Sequence, residues 1–147
     1  MLAAIEQAKN AEQELETPVG AVIVRNGKII ATGRNRRETK KNALLHAEIE
    51  AINGACAFLE SWRLLGCDLY VTLEPCPMCA GAAINSRIQR IYFGAYDPKN
   101  GALGSVTDLS LCAFTHKPEV YGGILEAECA GLLKSFFKAL REKNKSI

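Results

Sequence analysis

The sequence predicts an α/β fold, a three-layer α/β/α sandwich with helices on both faces of a central mixed sheet. Helical and strand-like segments alternate along the chain, two early strands are joined by a short turn, and the later strands are separated by helices. A hairpin is antiparallel, whereas strands joined through a helix run parallel, so the sheet is mixed. The 147 residues, 48% of them hydrophobic, are expected to form one domain spanning residues 1–147.

The first elements are one helix and one hairpin. Apolar residues recur at helical spacing over residues 2–15, and a Thr-Pro pair then ends the pattern. Residues 19–24 form a short run rich in valine and isoleucine, and the Arg-Asn-Gly-Lys turn at 25–28 leads into a second strand at 29–32. A polar loop, residues 33–42, follows the hairpin.

The remaining elements alternate between helix and strand. Residues 68–73 and 89–93 are apolar on both faces, which is typical of buried strands in a parallel sheet. A long glycine-containing loop at 94–105 follows the second of these strands. Three further helices are predicted, over about 45–58, from near Pro77, and over about 125–143.

Hydropathy and cysteine spacing limit the cellular setting. No apolar run approaches the ~18 residues of a membrane-spanning helix, and the first residues lack the order of a signal peptide, which predicts a cytoplasmic protein with no membrane partner. Six cysteines in a reducing compartment are expected to remain thiols. Only Cys76 and Cys79 are closely spaced. The others are interpreted as small buried hydrophobic residues: Cys56, Cys67, Cys112 and Cys129.

Charge is distributed unevenly, although the formal net charge is only +2. Residues 1–20 hold four glutamates and one lysine, whereas residues 25–41 hold seven lysines and arginines and one glutamate. The last segment, 134–147, holds five basic residues and one glutamate. Two basic segments on one face would contact phosphates, as nucleic-acid-binding surfaces do. The alternative is a solvated basic surface with no partner.

Two motifs at predicted helix starts contain the side chains of a metal site, His46-Ala47-Glu48 and Pro75-Cys76-Pro77-Met78-Cys79. Cysteines at i and i+3 lie on one side of a first helical turn, where unpaired amides favour thiolates. Two thiolates and an imidazole supply three ligands for a tetrahedral zinc ion. His116, the only other histidine, lies in a predicted loop without a partner, so no fourth protein ligand is evident. A three-ligand site is typical of catalytic zinc with water in the open position.

Glu48 lies two residues from a predicted ligand and is placed to accept the proton of that water. Residues two apart lie on different faces of a helix, so His46 and Glu48 share a site only at a helix start. A Cys-x-x-Cys pair alone also occurs in thioredoxin-like redox sites, but the Cys-Gly-Pro-Cys pattern is missing here. His-x-Glu followed by Pro-Cys-x-x-Cys is the signature of zinc nucleobase deaminases. Glu74, just before the third helix, is interpreted only as a cap of that helix.

The chain resembles the bacterial tRNA-specific adenosine deaminases of the TadA type, in the cytidine/deoxycytidylate deaminase superfamily. These enzymes convert adenosine to inosine at the wobble position of an arginine tRNA. Four blocks carry the resemblance: residues 35–36, 46–49, 69–82 and 93–105. The zinc motif is shared with cytidine, guanine and riboflavin-pathway deaminases, whereas the last block is similar to the tRNA-acting branch. The resemblance implies a cytidine deaminase-like fold with a five-stranded sheet.

The resemblance also implies roles for individual residues. His46, Cys76 and Cys79 would bind zinc, and Glu48 would shuttle protons. The implied substrate contacts are Asn35 at the flipped base, Pro18 and Ala47 in the base pocket, Asp97 on the ribose side, and Phe137, Lys138 and Arg141 at flanking anticodon-loop nucleotides. The family is homodimeric, with the active site near the interface and tRNA touching both subunits. Asn35 and Asp97 also suit simple turns, and Phe137 also suits an apolar core stripe.

The function expected from the sequence is zinc-dependent hydrolytic deamination of adenosine to inosine at the wobble position of a tRNA anticodon, with Zn²⁺ as the only cofactor. The two basic segments favour a polynucleotide substrate, and a base leaves its stack more easily in a single-stranded loop. One alternative is a guanine or cytidine deaminase that acts on a free base or nucleoside. Another is a non-catalytic, zinc-stabilised RNA-binding module.

Overall fold

The structure is a computed structural model that describes residues 1–147. It contains four α-helices and a five-stranded sheet. In chain order the elements are α1 (Leu2–Gln13), β1 (Gly20–Arg25), β2 (Lys28–Arg34), α2 (Ala47–Leu59), β3 (Cys67–Leu73), α3 (Pro77–Asn85), β4 (Arg90–Ala95), a 3-10 turn (Leu109–Leu111), β5 (Glu119–Tyr121) and α4 (Glu126–Lys145). The predicted α/β fold with a mixed sheet is confirmed.

The strand order in the sheet is β2-β1-β3-β4-β5. β1 pairs antiparallel with both β2 and β3, whereas β3, β4 and β5 are parallel to one another. The hairpin and the parallel pair joined through α3 were both expected from the sequence. Inspection of hydropathy did not identify β5, because a strand of three residues is too short to show an alternating pattern.

Glycines let helices approach both faces of the sheet closely. A Cβ at Gly20 would collide with the backbone of α1 at Ala4, and a Cβ at Gly33 would collide with the backbone of α2 at Ala47. Gly33 is paired with Ala21, the neighbour of Gly20, so the two glycines face opposite sides of the sheet. α1 and α2 therefore cover opposite faces, and Gly33 holds the first turn of α2 against β2.

The main core lies between the sheet and helices α2 and α3. Eighteen buried residues form it, including Leu69 and Val71 of β3 and Ile91 and Phe93 of β4. A smaller cluster of three buried residues lies on the other face, where Cys129 of α4 packs against the sheet. None of the four helices combines the length and the apolar character needed to cross a bilayer.

Candidate active site

The starts of α2 and α3 bring the predicted metal ligands together. His46 directly precedes α2 and Cys76 directly precedes α3, and both have extended backbone conformations. Neither side chain caps its own helix. The Nδ1 atom of His46 lies 3.6 Å from the sulfur of Cys76 and 3.5 Å from the sulfur of Cys79. All three potential ligand atoms lie within 4.8 Å of one another, which is a spacing that one metal ion can bridge.

Hydrogen bonds within this group change the acidity of its members. The hydrogen bond with Cys79, with a further contribution from His46, lowers the pKa of the Cys76 thiol to about 4. The same contact with Cys76, together with burial, raises the pKa of Cys79. The hydrogen bond to Cys76 also raises the pKa of His46. The lowered pKa favours the thiolate form of Cys76, which is the form of cysteine that binds metals.

Glu48 lies in the first turn of α2, next to the three ligands. It is only 4% exposed, and burial raises the pKa of its carboxyl group. Because His46 lies just before the helix rather than within it, the two side chains open into the same cavity. The sequence predicts that His46 and Glu48 can share a site only at a helix start, and the structure places them there.

A cavity of about 420 Å³ opens above these residues. It is lined by side chains from the segment before β1, the loop after β2, the starts of α2 and α3, the loop after β4, and α4. The lining residues are Thr17, Val19, Asn35, Arg37, His46, Ala47, Glu48, Leu73, Glu74, Cys76, Asp97, Asn100 and Phe137. A carboxylate, a potential metal site and an amide side chain thus face one space, as a hydrolytic enzyme requires.

The family model of the MafB19-like deaminases matches residues 1–141. The chain is 51% identical over 147 residues to the tRNA-specific adenosine deaminase of Bacillus subtilis, covering 99% of this chain and 91% of that protein. The chain belongs to the tRNA-specific adenosine deaminase family. The resemblance inferred from the sequence motifs is confirmed.

Solved structures support this membership at the level of the fold. A structure from a study of A-to-I editing by tRNA:A34 deaminases at the wobble position of transfer RNA superimposes with a TM-score of 0.84 and 46% identity, covering 88% of this chain and 95% of that one. The guanine deaminase of Bacillus subtilis superimposes with a TM-score of 0.64 and 30% identity, covering 96% and 90%. The cytidine deaminase-like fold expected of this deaminase is confirmed.

Two hydrogen bonds hold Asn35 in the wall of the deaminase cavity. Its side chain is 7% exposed, donates from Nδ2 to the Thr17 carbonyl at 3.3 Å, and accepts at Oδ1 from the Arg37 amide at 3.1 Å. Each end of the carboxamide retains one further hydrogen-bonding position. The side chain therefore both stabilises the turn and presents a fixed donor and acceptor pair near the cavity.

Two other predicted contacts have different placements. Pro18 is buried, and its neighbours Thr17 and Val19 line the cavity instead. Side chains alternate in direction along an extended segment, which explains why the neighbours face the cavity. Asp97 is half-buried and lines the cavity, while its Oδ1 accepts from the amides of Lys99 and Asn100. The roles of Pro18 and Asp97 at the substrate stay predictions.

The final helix contributes one side chain to the cavity of the deaminase. Phe137 lines the cavity and is 42% exposed, so it is not a core residue. Lys138 and Arg141 are exposed and lie outside the cavity lining. Arg141 is one helical turn from Phe137 and so extends the same face of α4. The predicted RNA contacts of these two basic residues stay predictions.

The remaining cysteines and the second histidine lie apart from the metal site. Cys67 and Cys129 are buried, as expected for small hydrophobic residues, whereas Cys56 and Cys112 are half-buried. His116 lies in a loop, where its Nε2 is 2.6 Å from the Ile88 carbonyl oxygen. A carbonyl oxygen only accepts, so this histidine donates a hydrogen bond that ties its loop to the segment before β4.

Several lining residues have no cavity role predicted from the sequence, among them Arg37, Glu74 and Asn100. The interpretation of Glu74 as a helix cap is wrong, because its carboxylate binds the loop after β4 and makes no hydrogen bond to α3. One signal was available: an acidic residue at the end of an apolar strand is costly to bury unless its hydrogen bonds are satisfied. Arg37 and Asn100 gave no such signal, since both sit in ordinary polar loops.

Proposed function

We propose that this chain deaminates adenosine to inosine at the wobble position of a tRNA anticodon, with an arginine tRNA as the expected substrate. The observation that supports this best is the shared cavity that holds His46, Cys76, Glu48 and Asn35. The tRNA-specific adenosine deaminase from Bacillus subtilis, 51% identical over nearly the whole chain, supports the choice of substrate.

The donor set fits zinc. Zinc binds thiolate sulfur at about 2.3 Å and imidazole nitrogen at about 2.0–2.1 Å, so at a tetrahedral angle the nitrogen and sulfur are about 3.6 Å apart. The distances from His46 Nδ1 to the sulfurs of Cys76 and Cys79 are 3.6 and 3.5 Å. We therefore assign zinc to these three residues. Zinc in such a site activates a water molecule for hydrolysis.

Glu48 is the proton carrier in this proposal. Its carboxylate accepts a proton from the attacking water, whose oxygen forms the new bond to carbon 6 of the purine. The same group passes this proton to ring nitrogen 1, and then carries the second proton, from the new hydroxyl group on carbon 6, to the departing amino group. The carbon–nitrogen bond breaks, the carbonyl of inosine forms, and ammonia leaves. Water and adenosine thus give inosine and ammonia, with no further cofactor.

Asn35 and Ala47 would contact the base in this reaction. Asn35 has a free donor and a free acceptor position near the cavity, which suits the edge of a flipped base. Ala47 is part of the cavity lining between His46 and Glu48, and its small side chain would bound the base pocket. Phe137 offers a ring for a flanking base, because bases stack on exposed aromatic side chains in single-stranded complexes.

The charge distribution supports an RNA substrate. Fewer arginine and lysine side chains are available for RNA than the composition suggests, because some are paired with carboxylates. Arg34 is paired with Glu14 at 2.7 Å, and Arg36 is paired with Glu50 at 3.0 Å. Arg37, by contrast, lines the cavity. Its only carboxylate partner, Glu38, is exposed and 3.9 Å away, and such a pair stabilises little. We propose that Arg37 is a phosphate contact, together with Lys138 and Arg141 of α4.

The assembly and setting are part of the proposal. We propose that residues 1–147 form a single deaminase domain, that the protein acts as a homodimer with the active site near the interface, and that it works in the cytoplasm. The family model matches residues 1–141, which supports a single domain, and the homodimer and the cytoplasmic setting are expectations from the sequence.

The reaction is tested with the purified protein and a full-length arginine tRNA transcript that bears adenosine at the wobble position. Nuclease digestion and mass spectrometry would measure inosine, and a coupled assay would measure ammonia. We expect equal amounts of both products, and none from a matched transcript with guanosine at that position.

Guanine deamination is the competing function, because the guanine deaminase of Bacillus subtilis shares this fold at 30% identity. The same ammonia assay with free guanine and with cytidine separates the two. Turnover of guanine or cytidine, together with an inert tRNA, would refute the proposed function.

A further inference from the structure

Glu74 is a buried acid whose partners all belong to one loop. It directly follows β3, is 2% exposed, and lies two residues before Cys76. Its carboxylate accepts hydrogen bonds from three backbone amides, those of Asp97, Leu103 and Ser105, each at 3.1 Å. The Ser105 hydroxyl donates a fourth, at 2.5 Å. We call residues 97–105 the glycine loop.

The backbone of the glycine loop is shaped to reach this carboxylate. A Cβ at Gly101 would collide with the carboxylate of Glu74 and with the backbone carbonyl oxygen of Asp97, so a side chain here would force Glu74 or the loop to move. The next amide, of Ala102, donates to the Pro75 carbonyl at 2.9 Å. The loop therefore rests on the two residues that directly precede the metal ligand Cys76.

The chemistry of these contacts requires a carboxylate. All four partners are donors, and an ionised carboxylate has acceptor positions on both oxygens. A carboxamide of the same shape would turn an NH₂ group towards at least one N–H donor. Substitution by glutamine would therefore change hydrogen bonding at this point while nearly preserving volume.

We propose that Glu74 is a positioning residue, which fixes the glycine loop relative to the metal ligands and so sets how tightly the substrate nucleotide is held. Asp97 and Asn100 of this loop line the same cavity as His46 and Glu48. The identity of the substrate in this inference rests on the proposed function, but the contacts between Glu74 and the loop do not depend on it. Glu74 itself takes no part in the proton transfers.

The kinetic test uses Glu74→Gln with Thr72→Val as the matched control. Thr72 is also buried and also accepts a backbone hydrogen bond, from Gly20 at 3.2 Å, but it does not touch the glycine loop. We expect Glu74→Gln to raise KM for the tRNA about tenfold and to change kcat less than about threefold, because the lost contact serves binding rather than chemistry. Zinc content should stay at that of the wild type. Thr72→Val should change neither constant.

Hydrogen exchange measured by mass spectrometry gives a readout that does not need catalysis. Exchange in Glu74→Gln should accelerate in peptides covering residues 97–105 and stay unchanged in those covering residues 35–42. If the wild type fails to deaminate tRNA, the proposed function fails, and this measurement still decides whether Glu74 holds the loop.

A purely structural role gives a different result. Loss of folded enzyme lowers the apparent kcat in proportion and leaves KM unchanged, and that outcome, or unchanged exchange in the loop, would overturn the inference. If Glu74→Gln does not fold, Ser105→Ala serves instead, because Ser105 is exposed and contributes the hydroxyl contact. It should raise KM in the same direction by about two- to fivefold, and an unchanged KM would equally overturn the inference.

Discussion

The floor and the rim of the cavity are built differently. The floor consists of His46, Glu48 and Cys76, with Cys79 next to them; all four are buried or half-buried and lie at the starts of two packed helices. The rim has three parts: residues 35–42, which we call the basic loop; the glycine loop; and Phe137. Regular elements thus fix the reacting groups, and loops present the groups that would select the substrate.

The rim is nevertheless anchored, and by the same device on both sides. Glu16 is 0% exposed and accepts from the amides of Thr39 at 2.6 Å and Glu38 at 3.3 Å, which holds the basic loop. Glu74 holds the glycine loop through four hydrogen bonds. Changes to the floor should therefore reduce kcat, whereas changes to the rim should raise KM.

The largest effect is expected from loss of the metal site. Cys79→Ala removes one of three ligands, so we expect zinc content to fall well below one ion per chain and deamination to fall below detection. Chelator treatment of the wild type should have the same effect, and added zinc should restore activity to the wild type alone. Full activity in the metal-free protein would show that the floor is not a metal site.

The second effect concerns Glu48. Glu48→Gln should bind one zinc ion and remain folded, yet lower kcat by about 10²- to 10⁴-fold, the usual contribution of general acid–base catalysis. Single-turnover kinetics and metal analysis on the same preparation would measure this. Unchanged turnover would show that Glu48 is not the proton carrier, whereas RNA binding without any turnover in the wild type would support the non-catalytic RNA-binding alternative.

A rim residue should behave differently. Phe137→Ala removes the ring that lines the cavity, and loss of one base–aromatic contact, worth about 1–3 kcal/mol, should raise KM by about 5- to 150-fold while kcat changes little. Phe114→Ala is the control, because Phe114 is 51% exposed and lies outside the cavity lining. A fall in kcat without a change in KM would place Phe137 in the floor.

The smallest effect concerns charge. Arg37→Gln should weaken tRNA binding and reduce the slope of log affinity against log salt by about 0.7, the value for one contact with single-stranded phosphate. Arg25→Gln is the control, since Arg25 lies at the other end of β1 from the cavity. RNA titrations at several salt concentrations would measure the slope for each variant. Equal slopes for Arg37→Gln and Arg25→Gln would show that the basic loop does not contact RNA phosphates.

The same division explains what could be predicted from the sequence. The sequence predicts that His46, Glu48, Cys76 and Cys79 lie together, because each motif spans only three or four residues at a helix start, and the structure brings these side chains together. Most of the rim could not be identified in this way. The contacts of Glu74 span 23 to 31 residues of sequence, and no local pattern reports them.

The strands follow a similar rule. Strands β1, β3 and β4 have clear apolar runs, and their predicted boundaries are close to those observed. β5 was missed because it has three residues and depends on pairing with β4 rather than on its own sequence. Asn35 and Asp97 were expected to bind substrate or form turns, and in the structure each forms a turn and also lines the cavity.

The central claim is that one zinc ion is held by His46, Cys76 and Cys79 alone, beside Glu48. Anomalous diffraction at the zinc edge from crystals of the zinc-loaded protein tests it most directly. We expect one peak per chain, bonded to the histidine Nδ1 and both sulfurs, with no protein atom in the fourth position. A fourth coordinating side chain, or no peak at this place, would contradict the account.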